Sequence, residues 1–72
     1  MKKVYVVSWD YDGGGGFDWY TNLKWAKKAL REEKANAEAY KNLNWKAHFE
    51  TMHVKSRCWL DITNEVEGRL YS

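Results

Sequence analysis

The stretch KKVYVVSWDYDGGGGFDWYT, residues 2–21, carries the clearest structural pattern in the chain. Side chains alternate in character on both sides of four consecutive glycines, and a period of two is typical of β-strands. Glycine tolerates positive φ, which a tight connection between two strands requires. We therefore expect a β-hairpin with residues 13–16 as its loop and with Trp9 opposite Tyr20. One face of the first strand carries Tyr5, Val7, Trp9 and Tyr11.

The period changes to 3.6 after this hairpin, which indicates an amphipathic helix. Thr21 or Asn22 is a suitable N-cap, and apolar residues from Leu23 onward share one arc of the helical wheel. The helix is expected from about residue 22 to residue 36 or to about residue 41, because Asn36 is a potential stop. The opposite arc carries Lys24, Lys27, Lys28, Arg31 and Lys34.

The last third of the chain alternates again, in shorter stretches. A turn is expected at NEVEG, residues 64–68, with Gly68 at positive φ. The chain is therefore predicted to be a single α+β domain, residues 1–72, in the order β-β-α-β-β-β. One amphipathic helix would pack on one face of an antiparallel sheet of four to five strands. The expected later strands are residues 45–54, 56–63 and 69–72.

Composition places the chain among small proteins of a reducing compartment. Cys58 is the only cysteine, so no internal disulfide can form. The apolar run near the N-terminus is broken by Ser8 and Asp10, and no apolar stretch approaches the roughly 20 residues of a membrane span. The expected location is the cytoplasm, with no membrane partner.

Motifs for metal, phosphate or covalent chemistry are incomplete. The loop from Asp10 matches part of a calcium-binding EF-hand, but Thr21 stands where a bidentate Glu belongs. The glycine run lacks the lysine of a phosphate-binding loop. His48 and His53 lie five positions apart, so a regular strand would point them to opposite faces, and Cys58 is expected in the core. We predict no catalytic residue, no metal and no cofactor, and a protein that is not an enzyme.

Charge is distributed unevenly along the chain, although the formal net charge is only +2. The predicted hairpin end carries three carboxylates beside aromatic rings, and this composition suits a partner's arginine side chains. The helix carries a basic stripe that suits phosphates or an acidic protein surface. A solubilising role for both features stays open. The residues predicted to bind a partner are Asp10, Asp12, Asp18, Trp19, Lys24, Lys27, Lys28 and Arg31.

In its small size, in its lack of a catalytic signature and in its single helix on a short antiparallel sheet, the chain resembles the small phage-encoded inhibitors of bacterial defence, notably anti-CRISPR proteins. The resemblance implies a non-enzymatic inhibitor that sterically occupies a Cas-type complex. Inhibitors of that family that imitate DNA tend to be strongly acidic, whereas this chain is basic. Whole-molecule mimicry is therefore not expected, and local mimicry by the hairpin end stays an alternative.

The partner implied by this resemblance is a larger protein or ribonucleoprotein complex in the cytoplasm of a bacterial host. A nucleic-acid-binding accessory protein is the alternative, with the basic stripe on phosphates and surface aromatics stacked on bases. A homodimer is a third interpretation, because five Trp, five Tyr and two Phe are generous for a core of this size.

Overall fold

A computed structural model describes residues 2–71 and shows an α+β fold with three strands and two helices. A short 3₁₀ turn, Lys41–Leu43, connects the first helix to the last strand. In chain order the elements are β1 (Lys2–Tyr11), β2 (Gly14–Tyr20), α1 (Leu23–Ala39), β3 (Lys46–Val54) and α2 (Trp59–Leu70).

The three strands form one antiparallel sheet in the order β2-β1-β3. The helices cover opposite faces, because side chains alternate along each strand. Val7 and Ala26 are buried on the α1 side. On the α2 side the core consists of Val4, Val6, Met52, Val54, Ile62 and Val66, with Phe17, Trp19 and Leu70 packed against it.

The predicted fold class and the antiparallel sheet are confirmed, but the predicted element count is wrong. The C-terminal region forms α2 where strands at 56–63 and 69–72 and a turn at 64–68 were expected; Ser72 lies outside the described residues. The helical signal is the spacing of Ile62, Val66 and Leu70 at i, i+4 and i+8, which places all three on one face. The segment also begins with Cys58, Leu60 and Ile62 at every second position, and that shorter period was misleading.

Two single-residue expectations change with this helix. Cys58 is the exposed N-cap residue of α2 and does not lie in the core. Gly68 lies within α2, and the only described glycine with positive φ is Gly13, at 103°. Within residues 2–71 no helix has the length and apolar character needed to cross a membrane.

The glycine run is mostly strand and does not form the expected four-residue loop. The turn occupies Asp12 and Gly13, and β2 begins at Gly14, so Trp9 pairs with Gly16 and not with Tyr20. The reason is steric, because aromatic rings of β1 lie across the glycines of β2. A Cβ atom at Gly14 would lie 2.8 Å from Tyr11 Oη, and one at Gly16 would lie 2.7 Å from Trp9 Cζ2.

Helix α1 begins as the sequence predicts and ends later than its first potential stop. The Oδ1 atom of Asn22 accepts a hydrogen bond from the Lys24 backbone N–H at 2.8 Å, which satisfies one free donor of the first turn. Asn36 does not end the helix and lies within it, where its side chain donates to Glu33 Oε1 at 2.9 Å. The helix therefore presents its full basic stripe in regular geometry.

Candidate functional site

The hairpin end is attached to the rest of the molecule. The backbone N–H of Asp12 donates to the Leu43 carbonyl at 2.8 Å, and Asn44 Nδ2 donates to Asp12 Oδ2 at 2.9 Å. The ring of Tyr11 stacks on Trp45, with centroids 4.3 Å apart and planes 5° from parallel. The segment after α1 thus holds the turn in place.

The four predicted residues of the hairpin end do not converge on one surface. Asp12 lies at the turn, whereas Asp10 lies on the α2 side of the sheet and contacts His48, with Oδ2 and Nε2 2.8 Å apart. Trp19 also lies on the α2 side, and its Nε1 donates to Thr63 Oγ1 at 2.9 Å while its ring packs against the core. Trp19 therefore has a structural contact within the monomer.

Asp18 lies on the opposite face, near α1, in an unfavourable electrostatic environment. Desolvation, followed by repulsion from Glu33, raises the pKa of Asp18 above its usual range. Desolvation also raises the pKa of Tyr20, with further contributions from Asp18, Glu32 and Glu33. This edge of the molecule therefore carries negative charge that no described cation neutralises.

The basic stripe of α1 is displayed to solvent as predicted. Lys24, Lys27, Lys28 and Arg31 are all exposed, and among the described residues none of them forms an ion pair. Trp25 is 54% exposed beside them, with Lys28 Nζ 5.4 Å from its ring centroid. The stripe and the carboxylates of the hairpin end thus do not neutralise each other.

Small inward residues explain why so much of α1 faces water. Ala26 is the only residue of the helix that is fully buried, and Ala29, Leu30 and Ala37 are half-buried beside it. A helix that contacts the sheet through alanines lies close to it and leaves its remaining surface free. The stripe is therefore a continuous exposed face with an aromatic ring at its N-terminal end.

A groove on the α2 side was missed at the level of sequence. It has a volume of about 390 Å³ and lies where α2 ends and leaves part of the sheet uncovered. The Asp10–His48 contact forms its polar floor, and Leu70 and Tyr71 form an apolar wall. Its residues are separated by up to about 60 positions, so no local sequence pattern predicts it.

The register also confirms that His48 and His53 point to opposite faces, since they pair with Ser8 and Lys3.

The groove contains residue types that are used in acid–base catalysis, but they do not have the arrangement that such catalysis requires. Ser8 pairs with His48 across the strands, and Asp10 contacts the same imidazole. In nucleophilic sites the base must be within hydrogen-bonding reach of the nucleophile. Across residues 2–71 no side-chain hydrogen bond joins Ser8 to His48, and no group of three His, Cys, Asp or Glu side chains suits a metal ion.

A second pocket, also of about 390 Å³, lies at the opposite end of the sheet from the hairpin. Its lining residues are Lys2, Lys55, Ser56 and Arg57. The sequence signal for it was weak, because Lys2 is more than fifty positions from the other three. The pocket forms because the pairing of β1 with β3 brings Lys2 opposite Val54.

The carboxylate of Glu65 holds the loop that forms this second pocket through hydrogen bonds. Glu65 accepts hydrogen bonds from the Lys55 backbone N–H at 3.2 Å and from Ser56 Oγ at 3.1 Å, and Arg69 contacts it at 2.9 Å. Desolvation opposes ionisation of Glu65, but these hydrogen bonds and the nearby guanidinium outweigh it and hold its pKa below the usual range.

Comparisons of the chain with protein-family models, with curated proteins and with solved structures find no match.

Proposed function

We propose that this protein is a non-enzymatic binding protein that sterically blocks a larger bacterial complex through the exposed face of α1. The observation that carries the proposal is a set of four cations that have no ion-pair partner within residues 2–71 and lie beside the half-exposed ring of Trp25: Lys24, Lys27, Lys28 and Arg31. The partner is expected to present an acidic surface with an apolar site for the ring.

Unrelieved repulsion within the stripe supports a role in binding. Lys24 and Lys28, and likewise Lys27 and Arg31, are like charges at i and i+4, and each such pair destabilises a helix by about 0.2–0.5 kcal/mol. An acidic partner would remove this repulsion and also accelerate the encounter. Trp25 adds the kind of large ring that dominates interface energetics.

The complex to be blocked is proposed from architecture. Small size and an antiparallel sheet flanked by helices support a defence inhibitor of the anti-CRISPR kind, and a Cas-type ribonucleoprotein is the proposed partner. In this proposal α1 binds the complex, while the sheet and α2 form the bulk that excludes the complex's own substrate. Asp10, Asp12 and Asp18 are proposed as secondary contacts, since all three are exposed and lie outside the stripe of α1.

The test uses two variants with the same loss of charge. K24Q/K27Q/R31Q neutralises the stripe, and K3Q/K41Q/K46Q neutralises three cations elsewhere. Each protein is expressed in bacteria with an active CRISPR–Cas system and challenged with a targeted phage. Wild type and the control variant are expected to restore plaque formation by at least tenfold over the stripe variant. Equal plaque counts for both variants would contradict a role for α1, and no restoration by wild type would remove the defence partner.

Nucleic-acid binding is the second candidate, and the position of Trp25 favours it specifically. An exposed indole next to Lys28 suits a stacked base beside a neutralised phosphate. Four phosphate contacts predict a log–log slope of affinity against salt near −3 to −4, at about −0.9 per phosphate. Electrophoretic mobility shifts with duplex and single-stranded DNA at low salt separate the candidates, since a protein-directed inhibitor would shift neither.

A further inference from the structure

The second pocket has a composition that points to an anion. Among residues 2–71 its lining consists of Ser56 and three cations, Lys2, Lys55 and Arg57, with no acidic side chain. None of the three has an ion-pair partner in the described part of the chain. We infer that this pocket binds a phosphate group carrying about two negative charges, a use of the molecule distinct from the proposed docking through α1.

Geometry makes the three cations converge. Lys2 begins β1 and pairs with Val54, the last residue of β3, so the next residue, Lys55, emerges beside it. Three like charges around one cavity repel each other, and this repulsion is relieved when an anion enters. Arg57 supplies a planar fork that matches phosphate oxygens in pairs, and the two lysines supply point charges.

The loop is preorganised for this role. Glu65 holds the backbone N–H groups of Lys55 and Ser56, so the chain direction at the pocket is set before a ligand arrives. The negative charge of Glu65 does not oppose the anion strongly, because Arg69 neutralises it at 2.9 Å. A fixed backbone lowers the ordering cost of binding.

Charge number selects the ligand class. A phosphomonoester carries about −1.5 to −2 at pH 7, whereas a phosphodiester carries a single charge, so a site of three cations favours the former. The volume of about 390 Å³ falls within the usual range for small-molecule sites, about 300–1,000 Å³, and leaves room for a sugar attached to the phosphate. Free phosphate and a terminal phosphate on a nucleotide chain share this chemistry.

The test is an NMR titration of the full ¹⁵N-labelled chain at constant ionic strength set with sodium chloride. The probes are inorganic phosphate, a 5′-phosphorylated tetrathymidylate and the same oligonucleotide without its 5′-phosphate. Saturable shifts are expected at the amides of Lys2 and residues 55–57 with the first two probes. The unphosphorylated oligonucleotide should bind at least tenfold more weakly than the phosphorylated one.

Variants separate this site from the α1 surface. R57Q should weaken the binding of inorganic phosphate at the amides of residues 55–57 at least tenfold, while K46Q and the stripe variant K24Q/K27Q/R31Q should leave the shifts at these amides unchanged; amide spectra of the free variants verify their fold. Tighter binding of the phosphorylated oligonucleotide than of inorganic phosphate identifies a nucleotide-borne ligand, and equal binding identifies free phosphate. The inference is overturned if neither phosphate probe saturates, if both oligonucleotides bind alike, or if R57Q binds like wild type.

Discussion

The indole of Trp9 lies across Gly16 on the neighbouring strand, so closely that a Cβ atom at Gly16 would lie 2.7 Å from Cζ2 of the ring. The glycine run is therefore a flat surface that accepts aromatic rings, and covering a strand glycine with a cross-strand ring stabilises a sheet. Through this packing, a glycine run that is typical of a flexible loop forms most of its length as an edge strand of the sheet.

Gly16→Ala is expected to destabilise the protein by about 1–3 kcal/mol, because the Trp9 ring must move out of its packing. Gly68→Ala is the matched control, since a Cβ there meets nothing within 4 Å and the residue lies within α2. Alanine at Gly68 should raise stability by about 0.5–1 kcal/mol. Urea unfolding followed by circular dichroism measures both, and equal effects would show that Trp9 does not pack on Gly16.

Glu65→Gln should lower the melting temperature at pH 7, because it removes the charge that clamps Lys55 and Ser56. The lowered pKa of Glu65 means that its contribution is fully present above the unfolded-state value, near 4.5, and is lost as pH falls through the folded-state pKa. The difference between wild type and variant should therefore shrink in acid. Thermal unfolding from pH 7 to pH 2 measures it, with Glu67→Gln, an exposed acid on the same helix, as control.

Asp18→Asn should stabilise the protein at neutral pH by about 0.5 kcal/mol, a small value because the side chain is largely exposed. The raised pKa of Asp18 reflects desolvation and repulsion from Glu33, so native stability falls as pH rises from 3.8 through the folded-state pKa. In a Glu33→Gln background the gain should be smaller, which a double-mutant cycle measures. A loss of stability in the single variant would show that Asp18 has a stabilising partner.

Thr63→Val should cost about 1 kcal/mol, because it leaves the Nε1 donor of Trp19 without its acceptor at a half-buried position. The side chains are nearly equal in size, so packing changes little. Thr51→Val, at an exposed position of β3, is the matched control and should change the melting temperature by no more than about 2 °C. Equal melting temperatures for the two variants would contradict a structural role for the Trp19–Thr63 bond.

Local patterns were sufficient where the structure depends on neighbouring residues. The first strand, the Asn22 cap and the basic face of α1 all follow from periodicity and from capping within a few positions. The same reasoning was wrong at α2. The two-residue spacing of Cys58, Leu60 and Ile62 fits a strand, whereas the i, i+4 spacing of the inward residues fits the helix that forms.

The candidate site was also predictable only where it depends on neighbouring residues. The stripe was predictable, since its four cations belong to one helix and need only the helical repeat to align. The Asp10–His48 contact and the cationic pocket were not, because each joins residues at least 38 positions apart whose meeting depends on strand register. The predicted cluster of Asp10, Asp12, Asp18 and Trp19 also required a register, and the expected one was displaced by four residues.

By itself, the sequence determined the alternation of the first hairpin, the start of α1 and the sign of charge along its outer face. Only the tertiary structure decided which strands pair at which register, that the chain's last third is a helix, and that three distant cations surround one pocket. These features differ in the distance along the chain over which the responsible interactions act. Backbone periodicity and capping act over a few residues, whereas register is set by how rings such as Trp9 pack on partners that the chain reaches only after turning back.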